Sequence, residues 1–274
     1  MKLGVIAGNK LFPLLFSKSA KEKDSNIELI AICFYGETSS AITRYVDRCY
    51  WLHVGELKKL VDIIHKENIK QMVMVGQISP QRIFEKKYWD DKMLRLADDI
   101  KDFRPHTVFL RVIRTLEIMG VEFLDSTLYM EEYLAEEGLM NSLEPRREVW
   151  EDINFGVEII SRFVDLDVGQ SVVVKNKSVV ALEALEGTDN TIIRGYKIAG
   201  RGCVVLKFSK KDHDLRFDVP VVGLNTLKVI RRVKASALVL EKGKVIILDK
   251  KKFLNKAHHL NLPVIGREKT NTVG

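Results

Sequence analysis

Cysteine is scarce and unpatterned in this chain. Cys33, Cys49 and Cys203 are far apart and show no CxxC spacing. This argues against a disulfide framework or a zinc site and for a reducing compartment, with all three read as small buried thiols. No run of about 18 apolar residues exists, so no segment is expected to span a membrane. The first apolar stretch is interrupted by Asn9 and Lys10, unlike a signal peptide, and a cytoplasmic location is expected. GxxxxGK[ST] is missing, which argues against a P-loop, and GxSxG is missing, which argues against a hydrolase serine elbow. The histidines at 53, 65, 106, 213, 258 and 259 form no HExxH, and their scatter offers no dinuclear metal cage. His258-His259 reads as a helix end near the surface. Internal repeats and low-complexity segments are absent.

What is present is an ordinary globular composition: 46% apolar and 30% charged over 274 residues. Only Glu268–Gly274 reads as a polar tail. The net charge of +7 is unevenly spread. Residues 1–150 hold 22 Lys and Arg against 23 Asp and Glu, whereas residues 151–274 hold 22 against 14. A solvated basic face, an anionic small-molecule site and nucleic acid all fit this excess. The lack of an aromatic-rich basic stripe argues against nucleic acid.

Apolar periodicity orders the first half into strands at Leu3–Ala7, Ile27–Phe34, Gln71–Val75 and Val121–Leu124. Helices are expected at Phe12–Lys23, Glu56–Glu67, Asp90–Asp102 and Thr107–Met119. Alternation of this kind builds a parallel sheet with right-handed crossovers. The expected fold class is therefore α/β: an N-terminal Rossmann-like parallel-sheet domain over 1–135, a linker at 136–145, and a C-terminal α/β catalytic domain over 146–274. In the second half a helix is expected from Arg146 to Val164. Strands are expected at Ser171–Lys175 and Val179–Ala184 around a turn at Asn176-Lys177. A helix follows near Asp189–Ala199, then a strand at Val204–Ser209. Ala237–Lys242 and Lys244–Asp249 read as a hairpin about Gly243.

Four loops carry candidate chemistry. Gly8-Asn9 and Gly76-Gln77 follow strands at the carboxyl edge of the expected sheet, where backbone N–H groups can meet a nucleotide or phosphate. A plain tight turn explains them equally well. Glu186-Gly187-Thr188-Asp189 lies between a strand and a helix. Thr188 or Asp189 is either an N-cap or part of a phosphate site, in which Gly187 admits the phosphate, Thr188 donates to it and Asp189 orients a ligand or metal. Asp218 is set between Phe217 and Val219-Pro220, beside Lys207 and Arg216. A carboxylate held there calls for a cation, and Mg²⁺ uses one or two carboxylates plus waters and substrate phosphates.

Together these segments resemble the UDP-2,3-diacylglucosamine pyrophosphatases of the LpxI type. The matching blocks include Leu3-Gly4-Val5-Ile6-Ala7-Gly8-Asn9, Gly36-Glu37-Thr38, Val73-Met74-Val75-Gly76-Gln77-Ile78, Asp167-Val168-Gly169-Gln170-Ser171, Glu183-Ala184-Leu185-Glu186-Gly187-Thr188-Asp189, and Asp214-Leu215-Arg216-Phe217-Asp218-Val219-Pro220. They run in order through nearly the whole chain. The resemblance implies Mg²⁺-dependent hydrolysis of UDP-2,3-diacylglucosamine to UMP and 2,3-diacylglucosamine 1-phosphate (lipid X) in lipid A biosynthesis. It implies a lipid substrate held between two domains and a critical acidic residue at Asp218. It also implies a cytoplasmic enzyme of a Gram-negative bacterium, and it leaves open peripheral contact with the inner membrane and homo-oligomerisation. On this reading Asp218 is catalytic and holds metal with Asp189. Thr188 and Asp189 face the diphosphate, Lys175, Lys207 and Arg216 offset its charge, and Gly8, Asn9, Gly76 and Gln77 seat the ligand. A nucleotide- or UDP-sugar-binding protein without turnover is the alternative, with a basic RNA-binding module as a third class.

Overall fold

The computed structural model describes residues 1–83, 85–98, 105–210, 215–216 and 219–270. It divides into two compact units. The first runs from Met1 to Tyr129 and includes a later return of the chain at Leu215 and Arg216; the second begins at Met130.

In the first unit the strands are β1 (Lys2–Ala7), β2 (Glu28–Phe34), β3 (Arg48–Leu52), β4 (Gln71–Val75) and β5 (Glu122–Phe123). They form one sheet in the order β3-β2-β1-β4-β5, with every pairing parallel. This is a doubly wound arrangement, with its change of direction between β1 and β4. β1 and β2 are almost wholly buried, as their near-continuous apolar runs require of strands covered on both faces. The helices are α1 (Phe12–Lys23), α2 (Leu57–Glu67), α3 (Pro80–Ile83), α4 (Asp91–Asp98) and α5 (Pro105–Ile118). Leu57, Leu60, Val61 and Ile64 of α2 form one apolar stripe, packed with Ile30, Ile32, Phe34 and Leu52 of the sheet. α2 stops at Asn68, which adopts the left-handed conformation with φ 51°.

In the second unit, β6 (Gly138–Leu139), β7 (Ser171–Lys175), β8 (Ser178–Leu182), β9 (Val204–Lys207), β10 (Val221–Val222), β11 (Ala237–Glu241), β12 (Ile246–Ile247) and β13 (Val264–Arg267) alternate with α6 (Arg147–Phe163), α7 (Thr188–Ala199), α8 (Leu224–Val233) and α9 (Lys250–His259). The main sheet has the order β6-β13-β11-β9-β7-β8. Its centre, β13-β11-β9, is parallel, and β6, β7 and β8 are antiparallel additions. Ile153, Val157 and Ile160 of α6 cover one face. Ile192 of α7, Leu227 and Ile230 of α8, and Phe253 of α9 cover the other. The mixed α/β class expected from the sequence is thus present in both halves. In the stretch read as a linker, Gly138–Leu139 pairs with β13. Among the described residues, no helix is long and apolar enough to cross a membrane.

One expected element is corrected. Residues 237–249 do not form a hairpin. β11 is buried along its whole length and pairs in parallel with β9 and β13, so neither edge is free for a returning strand. Ile246–Ile247 pairs instead with Val221–Val222, in parallel. The thiols of Cys33 and Cys49 lie 3.0 Å apart on adjacent strands, and all three cysteines are free.

Candidate active site

The first unit gathers four of the expected residues at the carboxyl edge of its sheet. Gly8 N donates to Val75 O at 2.8 Å and Asn9 N to Gln77 O at 2.7 Å, which ties the turn after β1 to the turn after β4. A Cβ on Gly8 would sit 2.5 Å from Gln77 O and 2.6 Å from Gly76 C, so glycine is required by the close approach of two backbones. Gln77 is exposed and accepts from Lys10 Nζ at 3.5 Å.

Beside this junction stands a carboxylate that the sequence reading did not select. Glu37 follows β2, and its side chain is 4% exposed. Its Oε2 accepts from Asn9 Nδ2 at 2.7 Å, Ser79 N at 3.1 Å and Ser79 Oγ at 3.0 Å, and its Oε1 accepts from Arg82 Nε at 3.2 Å. Burial pushes its carboxyl upward, but the donors on Asn9, Ser79 and Arg82 outweigh it and hold the group below the usual carboxylate range. The other end of the Asn9 amide, Oδ1, is buried and has no partner among the described residues. An unsatisfied buried acceptor costs about 1–3 kcal/mol.

The second unit builds a polar cluster around the start of α7. β7 runs antiparallel to β9 with Ser171 opposite Lys207, which brings both to one edge. Lys207 is 5% exposed. Its Nζ donates to Thr188 Oγ1 at 2.7 Å and lies 3.9 Å from Glu183 Oε2. Thr188 Oγ1 also accepts from Ser171 Oγ at 3.2 Å and gives its own proton to Glu183 at 3.1 Å. A hydroxyl has one proton and two lone pairs, so Thr188 is fully used inside the protein. An anion arriving here would meet the free backbone amides of the first turn of α7, which has no side-chain cap behind Gly187. Asp189 Oδ1 is buried and has no partner among the described residues. Gly169 is where it is because Glu183 comes close: a Cβ there would lie 2.2 Å from Glu183 O.

Lys175 is placed elsewhere. Its Nζ donates to Ala199 O at 2.6 Å and Arg201 O at 2.8 Å, closing the far end of α7, about 17 Å from Thr188 at 1.5 Å per residue. Arg216 lies in the first unit and pairs with Glu117. Its carbonyl is 2.7 Å from Ser126 Oγ. Asp218 lies outside the described residues. Among the described residues, no three His, Cys, Asp or Glu side chains converge on a metal position. The buried oxygen of Asp189, unpartnered among the described residues, is a hard donor of the kind Mg²⁺ takes, and one or two carboxylates suffice for that ion. Glu37, Ser79, Arg82, Ser171 and Glu183 were missed as site residues, although Glu37, Ser171 and Glu183 sit inside the blocks that carried the family resemblance.

A doubly wound unit with a buried polar network at its switch point, joined in one chain to a mixed-sheet unit with a nearly buried lysine beside the start of α7, defines a two-unit α/β protein. Residues 2–133 match the LpxI N-terminal domain and residues 136–265 the LpxI C-terminal domain. The chain belongs to the LpxI family. It is similar to a Caulobacter vibrioides protein named UDP-2,3-diacylglucosamine pyrophosphatase LpxI, with 24% identity over 97% of each chain. A solved structure of glycinamide-RNase-transformylase T from Mycobacterium tuberculosis aligns with 68% of this chain at 14% identity and a TM-score of 0.24. The chain spans only 44% of that protein, and the likeness carries no argument. One correction follows for the family resemblance. Its pyrophosphatase label is replaced by membership of the LpxI family, because the descriptions of the two matching domains name no activity and the relative whose name does is 24% identical.

Proposed function

We propose that this protein is a hydrolase of UDP-2,3-diacylglucosamine in lipid A synthesis, releasing UMP and 2,3-diacylglucosamine 1-phosphate. The observation that carries the reading is the match to both LpxI domains along nearly the whole chain. The local geometry supports it. Lys207 supplies a nearly buried positive charge beside the uncapped first turn of α7, and both favour a phosphate group. Glu183, holding Thr188 and facing Lys207, keeps that ammonium in place.

Asp189 would contribute an oxygen to Mg²⁺, and Asp218, named by the family resemblance, would be the second acidic residue. When bound, Mg²⁺ would neutralise charge on the phosphates and lower the pKa of a bound water. Within the protein, Lys207 offsets charge on the diphosphate, and the first-turn amides of α7 orient a phosphoryl oxygen.

The test is incubation of the protein with UDP-2,3-diacylglucosamine in Mg²⁺ or in EDTA, following UMP. Release in Mg²⁺ and none in EDTA is expected; no release in Mg²⁺ refutes the activity. Loss of release in Asp218→Ala is expected, and retained release removes that residue from the chemistry. Hydrolysis in ¹⁸O-water identifies the phosphorus attacked, because only that product carries the label.

A further inference from the structure

We infer that the outer face of α8 and α9 docks the protein on an anionic phospholipid bilayer. That the enzyme's ligand is a membrane lipid rests on the function proposed above; the charge of the face does not.

The basic excess of the second half is confined to a short stretch. Residues 223–262 hold ten Lys and Arg against two Asp and Glu, whereas the other 234 residues hold 34 against 35. This stretch carries α8 and α9, neighbours that pack on one face of the main sheet through Leu227, Ile230, Phe253 and Ala257. Their other sides are turned to solvent, with Lys228, Arg231 and Arg232 exposed on α8 and Lys251, Lys252 and Lys256 on α9. Glu241 is buried and accepts from Ser209, so it does not offset them. Asp249 pairs with Lys252 at 3.6 Å. Lys242 and Lys250 pair with Glu137, Glu268 and Glu136. Among the described residues, Arg231, Arg232, Lys251 and Lys256 have no acidic partner. Like charges gathered on one side repel, and a surface of opposite sign relieves the repulsion.

Two features select a lipid surface over nucleic acid. Single strands are held by stacking bases on aromatic side chains. Phe253 is the one aromatic residue of 223–262, and it is wholly buried. Beside α9 lies an open hollow of about 500 Å³, walled by Lys251, Asn255 and His258 together with Met140 and Leu254. Cationic and polar groups next to apolar side chains match the headgroup boundary of a bilayer, where phosphate meets acyl chain. Each Lys or Arg brought to an anionic leaflet strengthens binding about fivefold. A diacyl ligand stays in its bilayer, so an enzyme acting on it gains from a face that holds it there.

The test is co-sedimentation of the full-length protein with phosphatidylcholine vesicles, with and without phosphatidylglycerol, and no substrate. Binding is expected only with phosphatidylglycerol. It should be lost between about 0.1 M and about 1 M salt, as the Debye length shrinks from about 10 Å to about 3 Å. Arg231→Gln, Arg232→Gln and Lys256→Gln combined should weaken binding about 100-fold. Lys58→Gln, Lys66→Gln and Lys70→Gln combined remove the same charge from the first unit and should weaken it less than about fivefold. All six side chains are exposed, so both variants should keep the wild-type Tm, and the lipid and salt arms use wild type alone. Equal binding to both vesicles, binding unchanged by salt, or equal losses in the two triple variants overturns the inference. So does tighter binding of poly(U) RNA than of the anionic vesicles. UMP release by wild type without vesicle binding refutes this inference alone. Vesicle binding through this face without UMP release refutes the proposed activity alone.

Discussion

Replacing Lys207 with Met should weaken the second unit and stop UMP release, and adding Glu183→Gln should restore the stability without the activity. Lys207 Nζ and Glu183 Oε2 lie 3.9 Å apart, with side chains only 6% and 12% exposed. At an effective dielectric of about 20 that separation gives a gross attraction of about 4 kcal/mol. Desolvation of the two charges offsets most of it. Removing the lysine alone strands a nearly buried carboxylate whose remaining side-chain partner among the described residues is the Thr188 hydroxyl, and a loss of about 2–3 kcal/mol is expected. Neutralising Glu183 as well removes the stranded charge, so the double variant should lie about 1 kcal/mol below wild type, with a coupling of at least about 1–2 kcal/mol in the cycle. Urea unfolding of the four proteins reads the stability, and UMP release from UDP-2,3-diacylglucosamine reads the function. Strictly additive single losses would refute the coupling. A double variant as active as wild type would remove Lys207 from the handling of the diphosphate.

Three further outcomes follow from contacts already described. Gly8→Ala forces a methyl against Gln77 O and Gly76 C, both backbone. It should cost about 1–3 kcal/mol, or about 2–4 °C of Tm per kcal/mol for a protein of this size; an unchanged Tm by calorimetry would contradict the close approach. Gly169→Ala should displace the backbone of Glu183 and lower kcat of UMP release together with Tm; loss of neither would separate Gly169 from the cluster. Glu37 has its carboxyl held low in the folded protein, so its stabilising contribution is fully present above the unfolded value of about 4.3 and fades as pH falls through the lower folded value. The stability gap between wild type and Glu37→Gln, from urea midpoints, should be constant above about pH 5 and shrink below about pH 4. A gap that stays flat down to pH 3 contradicts this.

Among the strands legible in the sequence, β1 and β2 are buried on both faces, whereas β8 is a largely exposed edge strand. β1 and β2 read as near-continuous apolar runs, and the structure keeps them within a residue or so of the expected bounds. β3 escaped notice because Arg48-Cys49-Tyr50-Trp51-Leu52 is a half-exposed edge strand with no clean period. The hairpin at 237–249 failed for a related reason: two apolar runs around a glycine specify a turn, but not which neighbours each run will pair with.

The site divides in the same way. Lys175 and Lys207 both end Val-rich strands and look equivalent in sequence. Only the antiparallel pairing of β7 with β9 places Lys207 beside Thr188 and sends Lys175 to the opposite edge. Glu37 became visible only when loops 28 and 42 residues away, at Asn9 and Ser79, met around it. Convergence of that range leaves no local spacing to read.

The return of the chain to the first unit has a bearing on how the protein is made. Ser126 N donates to Leu215 O at 2.9 Å, so part of the first unit is supplied 89 residues later. At about 5–20 residues per second of synthesis, the nascent first unit waits roughly 4–18 s before that strip of chain exists. During this interval the second unit is mostly translated, and the earlier half must stay soluble while unfinished. A gene cut after the first unit would encode a protein permanently in that waiting state.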